Sequence, residues 1–491
     1  MVLVSMQPAS RAKPYLIGFV SLTHACAKAP MSLAPSASAA VASFGAAPSH
    51  YEVTAGPGAE ELRVQVDLPR GTSRLNLAAQ MSAFVEDVTV SLDGGGRWAG
   101  ASRSGASALV PGCAAGGCRV RYRVNLAGAA RELDDQDLAL AHRGAFVAPP
   151  SSFLLIPGDA PAGARYDLAV HTQEGTGFVS GATMGPGPSG YAGLLADLED
   201  APYAAFGPFE ARRFERPLGS LDLALTAGEP TLPHAELERW VEAQVDAVTA
   251  YYGRFPIPHA ALIVLFERGR GIHDGRTMGN GGGSILLSLG EQSTALDLQR
   301  DWVLVHEMVH LSFPSVQRPW AEEGLATYLE PIIRVRAGLL DADRVWGDLI
   351  RGLPQGQPGP GDLGLDHTDT WGRRYWGGAA FWLLADVAIR RQSGGARSLD
   401  DALRHIVEMG GNVAARWSLE RALEEGDRAT GGTALRDLRR RLGDSREVVD
   451  LEGLWRDLGV KLVGGRVAYD DGAPLAAARR QITDRKGERT Q

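Results

Sequence analysis

His306-Glu307-Met308-Val309-His310 sets two imidazoles four residues apart, with a carboxylate next to the first. On a helix, positions i and i+4 share a face, so both rings point the same way and can share one metal ion. Glu307 sits beside them and can reach a water held at that metal. Leu296, Trp302, Val305 and Val309 give the segment the apolar, helix-compatible surroundings this arrangement needs. Two surface histidines on an amphipathic helix are the plainer alternative. Catalytic zinc usually takes three protein ligands and leaves a fourth position for water. A third donor should then come from an element folded back on the first. Pro314 and Pro319 break the chain, and a new helix begins at Trp320-Ala321-Glu322-Glu323-Gly324. Glu323 stands thirteen residues after His310, with Gly324 permitting close helix packing.

The rest of the chain has to position these groups. Residues 50 to about 228 alternate short apolar stretches with Gly, Pro and Asp turns, as in 62–69, 87–95, 118–126, 152–158 and 165–172. Alternation at period two predicts antiparallel strands in a β-sandwich or barrel. Near Pro233 the pattern changes. Leu237, Val241, Val245, Val248 and Tyr252 predict a helix over 234–253. Residues 261–266 read as a buried strand and 281–289 as a strand after a glycine loop. One helix is expected over 295–312 and another over 320–337. From 374 onward the chain reads as mostly helical, with a frayed basic tail after about 475. The expected fold class is therefore α+β and multidomain. Residues 1–48 form a leader and linker, 49–230 an antiparallel β-sandwich, 231–395 an α/β catalytic domain, and 396–491 a mainly helical region.

HExxH followed by W-x-x-E-G-x-A-x-Y resembles the gluzincin metallopeptidases. That resemblance implies a thermolysin-like catalytic domain and one Zn²⁺ per chain, held by His306, His310 and Glu323, with Glu307 as general base. Glu322 then points about 100° away from the ligand, and Glu330 caps or faces solvent. The stretch from Tyr375 to Arg404 is similar to the glycyl aminopeptidase family and, more distantly, to aminopeptidase N. It implies that Tyr375 stabilises the oxyanion, although Gly377 stands where that family carries a lysine. Twelve residues separate His310 from Glu323, fewer than in familiar gluzincins, so the connecting loop must be short. Aminopeptidase N relatives also carry Gly-Ala-Met-Glu-Asn upstream of the zinc helix. The nearest stretch here is Arg276 to Asn280, which puts Gly279 in place of the Glu that holds a free amino terminus. The run Gly279, Asn280, Gly281, Gly282 and Gly283 would suit backbone approach by a substrate strand, or form a plain loop. The implied substrate is a peptide or protein, with exo- and endopeptidase action both open. The alternatives are a binding protein with a vestigial zinc site and a metallo-hydrolase of a non-peptide bond. Retention of Glu307 and an open ligand set weigh against the first.

Composition narrows the setting. Hydrophobic residues at 44% and charged residues at 22% exclude a globally disordered chain. A net charge of −8 argues against a nucleic-acid partner. Arg11 and Lys13, the apolar run Tyr15 to Leu22, and Ala25-Cys26-Ala27 follow the order of a secretory signal, with an Ala/Ser/Pro linker over 31–48. Export to a periplasm or the exterior is expected, with lipidation at Cys26 or a cytosolic tail as alternatives. No stable membrane span is expected once the signal is removed. Cys113 and Cys118 lie five positions apart in a glycine-rich turn and can close a small disulfide loop in an oxidising compartment. A zinc knuckle would need a second cysteine or histidine pair nearby.

Overall fold

Strand Ser49–Ala55 buries every second residue, which is the signature of a strand with one face on a core. It belongs to a seven-stranded sheet in the first half of the chain. The computed structural model describes residues 47–185 and 190–484, so the predicted leader and Cys26 lie outside the described residues. In that sheet Ser49–Ala55 pairs antiparallel with Glu61–Leu68 but parallel with Arg165–His171, one exception to the antiparallel expectation. A four-stranded sheet built on Ala145–Ala148 and Ala204–Gly207 shares its core, where Tyr51, Val64, Phe146 and Phe206 meet. The sandwich is thus present. The stretch 152–158 departs from expectation: only Ile156–Pro157 is a strand. Phe153, Leu154 and Leu155 are buried without a ladder. Their backbone is satisfied instead by tyrosine hydroxyls, Tyr122 donating to Phe153 O (3.1 Å) and Tyr51 to Leu155 O (2.8 Å).

A further sheet has five strands: β1 (Ala211–Arg216), β2 (Gly219–Leu225), β3 (His259–Glu267), β4 (Ile272–Gly279) and β5 (Gly283–Gly290). Their order is β1-β2-β3-β5-β4, so β4 is an edge strand. The sheet takes its first two strands from before residue 230 and crosses the boundary suggested by the change of pattern near Pro233. β2, β3 and β5 run parallel, and β4 returns antiparallel to β5. β3 is buried on both faces, as a continuous apolar run in a parallel sheet should be. Leu262, Val264 and Phe266 join the helical core, whereas Ala261, Ile263 and Leu265 pack towards the sandwich with Val147, Val179 and Tyr203.

The helices cover the other face. α1 (His234–Tyr252) ends at Gly253, which adopts a left-handed conformation. The single helix expected over 295–312 is two: α2 (Ala295–Arg300) and α3 (Val303–Leu311). Asp301 makes the break, because its carboxylate accepts the amides of Val303 (3.0 Å) and Leu304 (3.2 Å) and so caps α3. α4 (Pro319–Arg336) follows, then α5 (Gly378–Gln392). The C-terminal region is mainly helical but includes a hairpin, Val460–Val463 with Arg466–Tyr469. Its tail is not frayed where it is described: Ala476–Thr483 is a helix whose buried Arg479 donates to Gly459 O at 2.9 Å. Among the described residues no helix is long and apolar enough to cross a membrane.

α4 and α5 touch backbone to backbone. A Cβ on Gly324 would lie 2.3 Å from Gly378 Cα, and the Trp382 indole donates to Ala321 O at 2.9 Å. Gly324→Ala should therefore force the two helices apart. A loss of about 1–3 kcal/mol is expected from such overpacking. Thermal melting and zinc content of the variant check it, and both should fall.

Candidate metal centre

α3 presents His306 and His310 on one face, their ring centroids 5.0 Å apart. α4 folds back and brings Glu323 Oε2 to 3.1 Å from His306 Nε2 and 3.5 Å from His310 Nε2. One donor atom from each residue lies within 4.8 Å of the others. Two ligand atoms, each about 2.0–2.1 Å from one tetrahedral ion, are roughly 3.4 Å apart. The carboxylate-to-imidazole spacings match that figure, and two imidazoles with one carboxylate suit zinc. His306 is buried, while His310 and Glu323 are half-buried.

The short connection between α3 and α4 is held in two ways. Glu322 Oε1 accepts the Val316 amide at 2.9 Å, so the carboxylate beside Glu323 pins the loop. Burial raises the Glu322 pKa, against the pull of nearby His310. From outside, Ser315 N donates to Ala415 O (3.1 Å), Trp417 N donates to Ser315 O (3.2 Å), and Val413 N donates to Leu311 O (3.2 Å).

Tyr375 sits on a π-helical turn, Arg373–Gly377, just before α5. Such turns concentrate at functional positions. A buried Asp362–Arg373 ion pair (2.9 Å) anchors the turn. The Tyr375 ring stacks over His306 at 6.5 Å and meets Trp371 at 5.7 Å. Burial, then the negative charge of Glu323, push the Tyr375 pKa up to about 12, so its hydroxyl keeps its proton at neutral pH. The five residues His306, Glu307, His310, Glu323 and Tyr375 are thus brought together.

The glycine run is not part of this cluster. Gly279 closes β4 against Val413, where a Cβ would lie 2.2 Å from Val413 Cγ2. Gly281, at φ 65°, donates its amide to Ala414 O at 3.0 Å. Gly282 pairs with Ala182, Gly283 lies against Leu311, and Asn280 donates to Asp197 O (3.0 Å). The run packs against neighbouring segments of the chain. The β4 residues that do reach α3 are Gly275 and Thr277, two and four positions upstream of Gly279. The segment Ile272–Gly279 shows no apolar alternation, so the sequence carries no signal for them; once β4 is a strand, Gly275, Thr277 and Gly279 fall on one face. Glu330 also departs from expectation: it is buried and paired with Arg334 at 2.6 Å. Cys113 and Cys118 form a disulfide in the sandwich, with Cα atoms 4.9 Å apart.

No protein-family model matches the sequence, and no curated protein matches it. Solved structures do. An aminopeptidase N family protein from Idiomarina loihiensis superposes with a TM-score of 0.61 at 13% identity, covering 84% of this chain and 78% of that one. The fold is aminopeptidase N-like. Aminopeptidase A of Legionella pneumophila, solved with aspartic acid, gives 0.50 at 12% identity, covering 82% of this chain and 49% of that longer one. The M1 zinc metallopeptidase of Deinococcus radiodurans overlays more loosely, at 0.47 and 17% identity over 83% and 95% of the two chains.

Two outcomes follow for metal binding. Burial opposes a charged His310, but Glu323, with Glu307 and Glu322 behind it, outweighs that and raises its pKa to about 9. In the metal-free protein His310 therefore carries a proton at neutral pH, which zinc must displace. Apparent zinc affinity should rise about tenfold per pH unit and level off as the pH passes about 9, as competition with a chelator would show. The paired glutamates should separate in mutants. Glu323→Ala should lose the metal. Glu322→Ala should keep it but lose about 1–3 kcal/mol of stability, because a loop amide is orphaned; metal analysis and thermal melting distinguish them.

Proposed function

We propose that this protein is a zinc-dependent metallopeptidase. The observation that carries the reading is the open three-donor set of His306, His310 and Glu323, with a carboxylate one residue after the first donor and the Tyr375 ring stacked on His306. A structural zinc site is normally closed by four protein ligands, so three favour catalysis. Zinc held there supplies a Lewis acid that polarises a carbonyl and makes a water more acidic. Glu307 takes the proton from the attacking water and returns it to the leaving amine. Tyr375, kept protonated, donates a hydrogen bond as negative charge develops on the carbonyl oxygen. Trp302, edge-on to His306 at 5.3 Å, limits the ring's motion. We assign the catalytic domain to 231–395 together with the strands at 211–225 that belong to its sheet, the rest of 49–230 to the sandwich, and 396–491 to the helical region. The leader pattern and the Cys113–Cys118 bond support an exported protein, since disulfides persist in oxidising compartments.

The test is hydrolysis of a peptide library with free and blocked amino termini, by zinc-loaded protein. Glu307→Gln should retain zinc and lose about 10²–10⁴-fold in turnover. Tyr375→Phe should lower kcat by about 10²–10³-fold while leaving KM little changed. Wild-type rates in the first variant would remove the proposed base. Absence of cleavage across the whole library by the wild type would remove the peptidase reading.

A further inference from the structure

We propose that Thr277 is a positioning residue for Glu307, a role that rests on the peptidase reading above. Its hydroxyl lies 2.7 Å from Glu307 Oε2 and 2.9 Å from the Glu307 main-chain oxygen. A hydroxyl has one proton to give, and the charged carboxylate is the stronger acceptor. No other described side chain donates to that carboxylate, so Oε1 has no hydrogen-bond partner among the described residues.

The arrangement is built into the strand. Gly275, Thr277 and Gly279 share the face of β4 that meets α3 and the 412–417 segment, while Arg276 on the opposite face pairs with Asp137 at 2.6 Å. Gly275 lets the strand close on the helix: a Cβ there would lie 2.5 Å from Val303 Cγ1 and 3.0 Å from Glu307 Cγ. At that separation only a short side chain fits at 277, and threonine is both short and stiff about χ1. A glutamate's terminal torsion is otherwise broad and roughly two-fold. Thr277 fixes it by tying Oε2 to the strand, which leaves Oε1 as the oxygen that takes the proton. Orientation of a reacting group acts on the chemical step, so its loss falls on turnover rather than on substrate binding.

The experiment compares full-length Thr277→Val, which keeps the shape without the hydroxyl, with Thr277→Ser, which keeps the hydroxyl. In the zinc-loaded protein, Thr277→Val should retain one zinc per chain and a wild-type KM while kcat falls about tenfold. Thr277→Ser should restore kcat to within about threefold of wild type. A Thr277→Val enzyme with unchanged kcat, or a Thr277→Ser enzyme as slow as the valine variant, overturns the proposal. A second readout needs neither metal nor activity. In chelator-treated protein Thr277→Val should lower the melting temperature by about 2 °C, and by clearly less in a Glu307→Ala background. Equal shifts in both backgrounds overturn the hydrogen bond even if the wild type cleaves no peptide, so the two readings fail separately.

Discussion

A carboxylate on one helix meets two imidazoles on another only if the chain between them reverses within a few residues. Here it has twelve, from Leu311 to Glu322. The reversal works because its backbone is bonded at both ends, inward to Glu322 and outward to Ala415 and Trp417. α5 then closes on α4 through the Gly324–Gly378 contact, which carries Tyr375 to the same place. Ligand geometry and tyrosine placement thus rest on one piece of helix–helix packing, not on separate devices.

The charges around this packing are arranged by sign. Glu307, Glu322 and Glu323 converge on His310, and their acidity is offset only in part by imidazole. Burying like charges is costly, and a divalent cation relieves that cost. The outer carboxylates are dealt with otherwise. Glu330 is neutralised by buried Arg334, which also donates to Gln299 O at 3.0 Å. Asp301 spends its oxygens on helix amides, and burial raises its pKa to about 6. The uncompensated negative charge is left where a cation would sit.

The His306–His310 pairing and the reversal that brings Glu323 to it were legible in the sequence because helical periodicity alone fixes how i and i+4 relate, and because prolines announce a chain reversal. The β-sandwich was legible for the same kind of reason, from alternation at period two. What failed was whatever depends on partners far along the chain. The apolar run at Phe153 reads as a strand until two tyrosine hydroxyls are known to bond its backbone. The glycines at 279–283 read as either a surface for substrate or a plain loop, and nothing local says that Val413 and Ala414 will lie against them. Glu330 reads as solvent-facing because nothing local says that Arg334 will be buried with it. Thr277 was out of reach, because Ile272–Gly279 carries no apolar alternation to mark it as a strand and its partner depends on β4 being the edge beside α3.

The segment 412–417 has a consequence of its own. It touches the β4–β5 turn at Gly281, the end of α3 at Leu311 and the loop at Ser315, so one short turn laces three parts of the centre from far along the chain. The helices beyond residue 396 are therefore not an appendage that trimming would spare. A nick there would slacken the seam between sheet edge and histidine helix while leaving His306, His310 and Glu323 in the polypeptide, and the damage would surface as a loosened donor set rather than as a missing group.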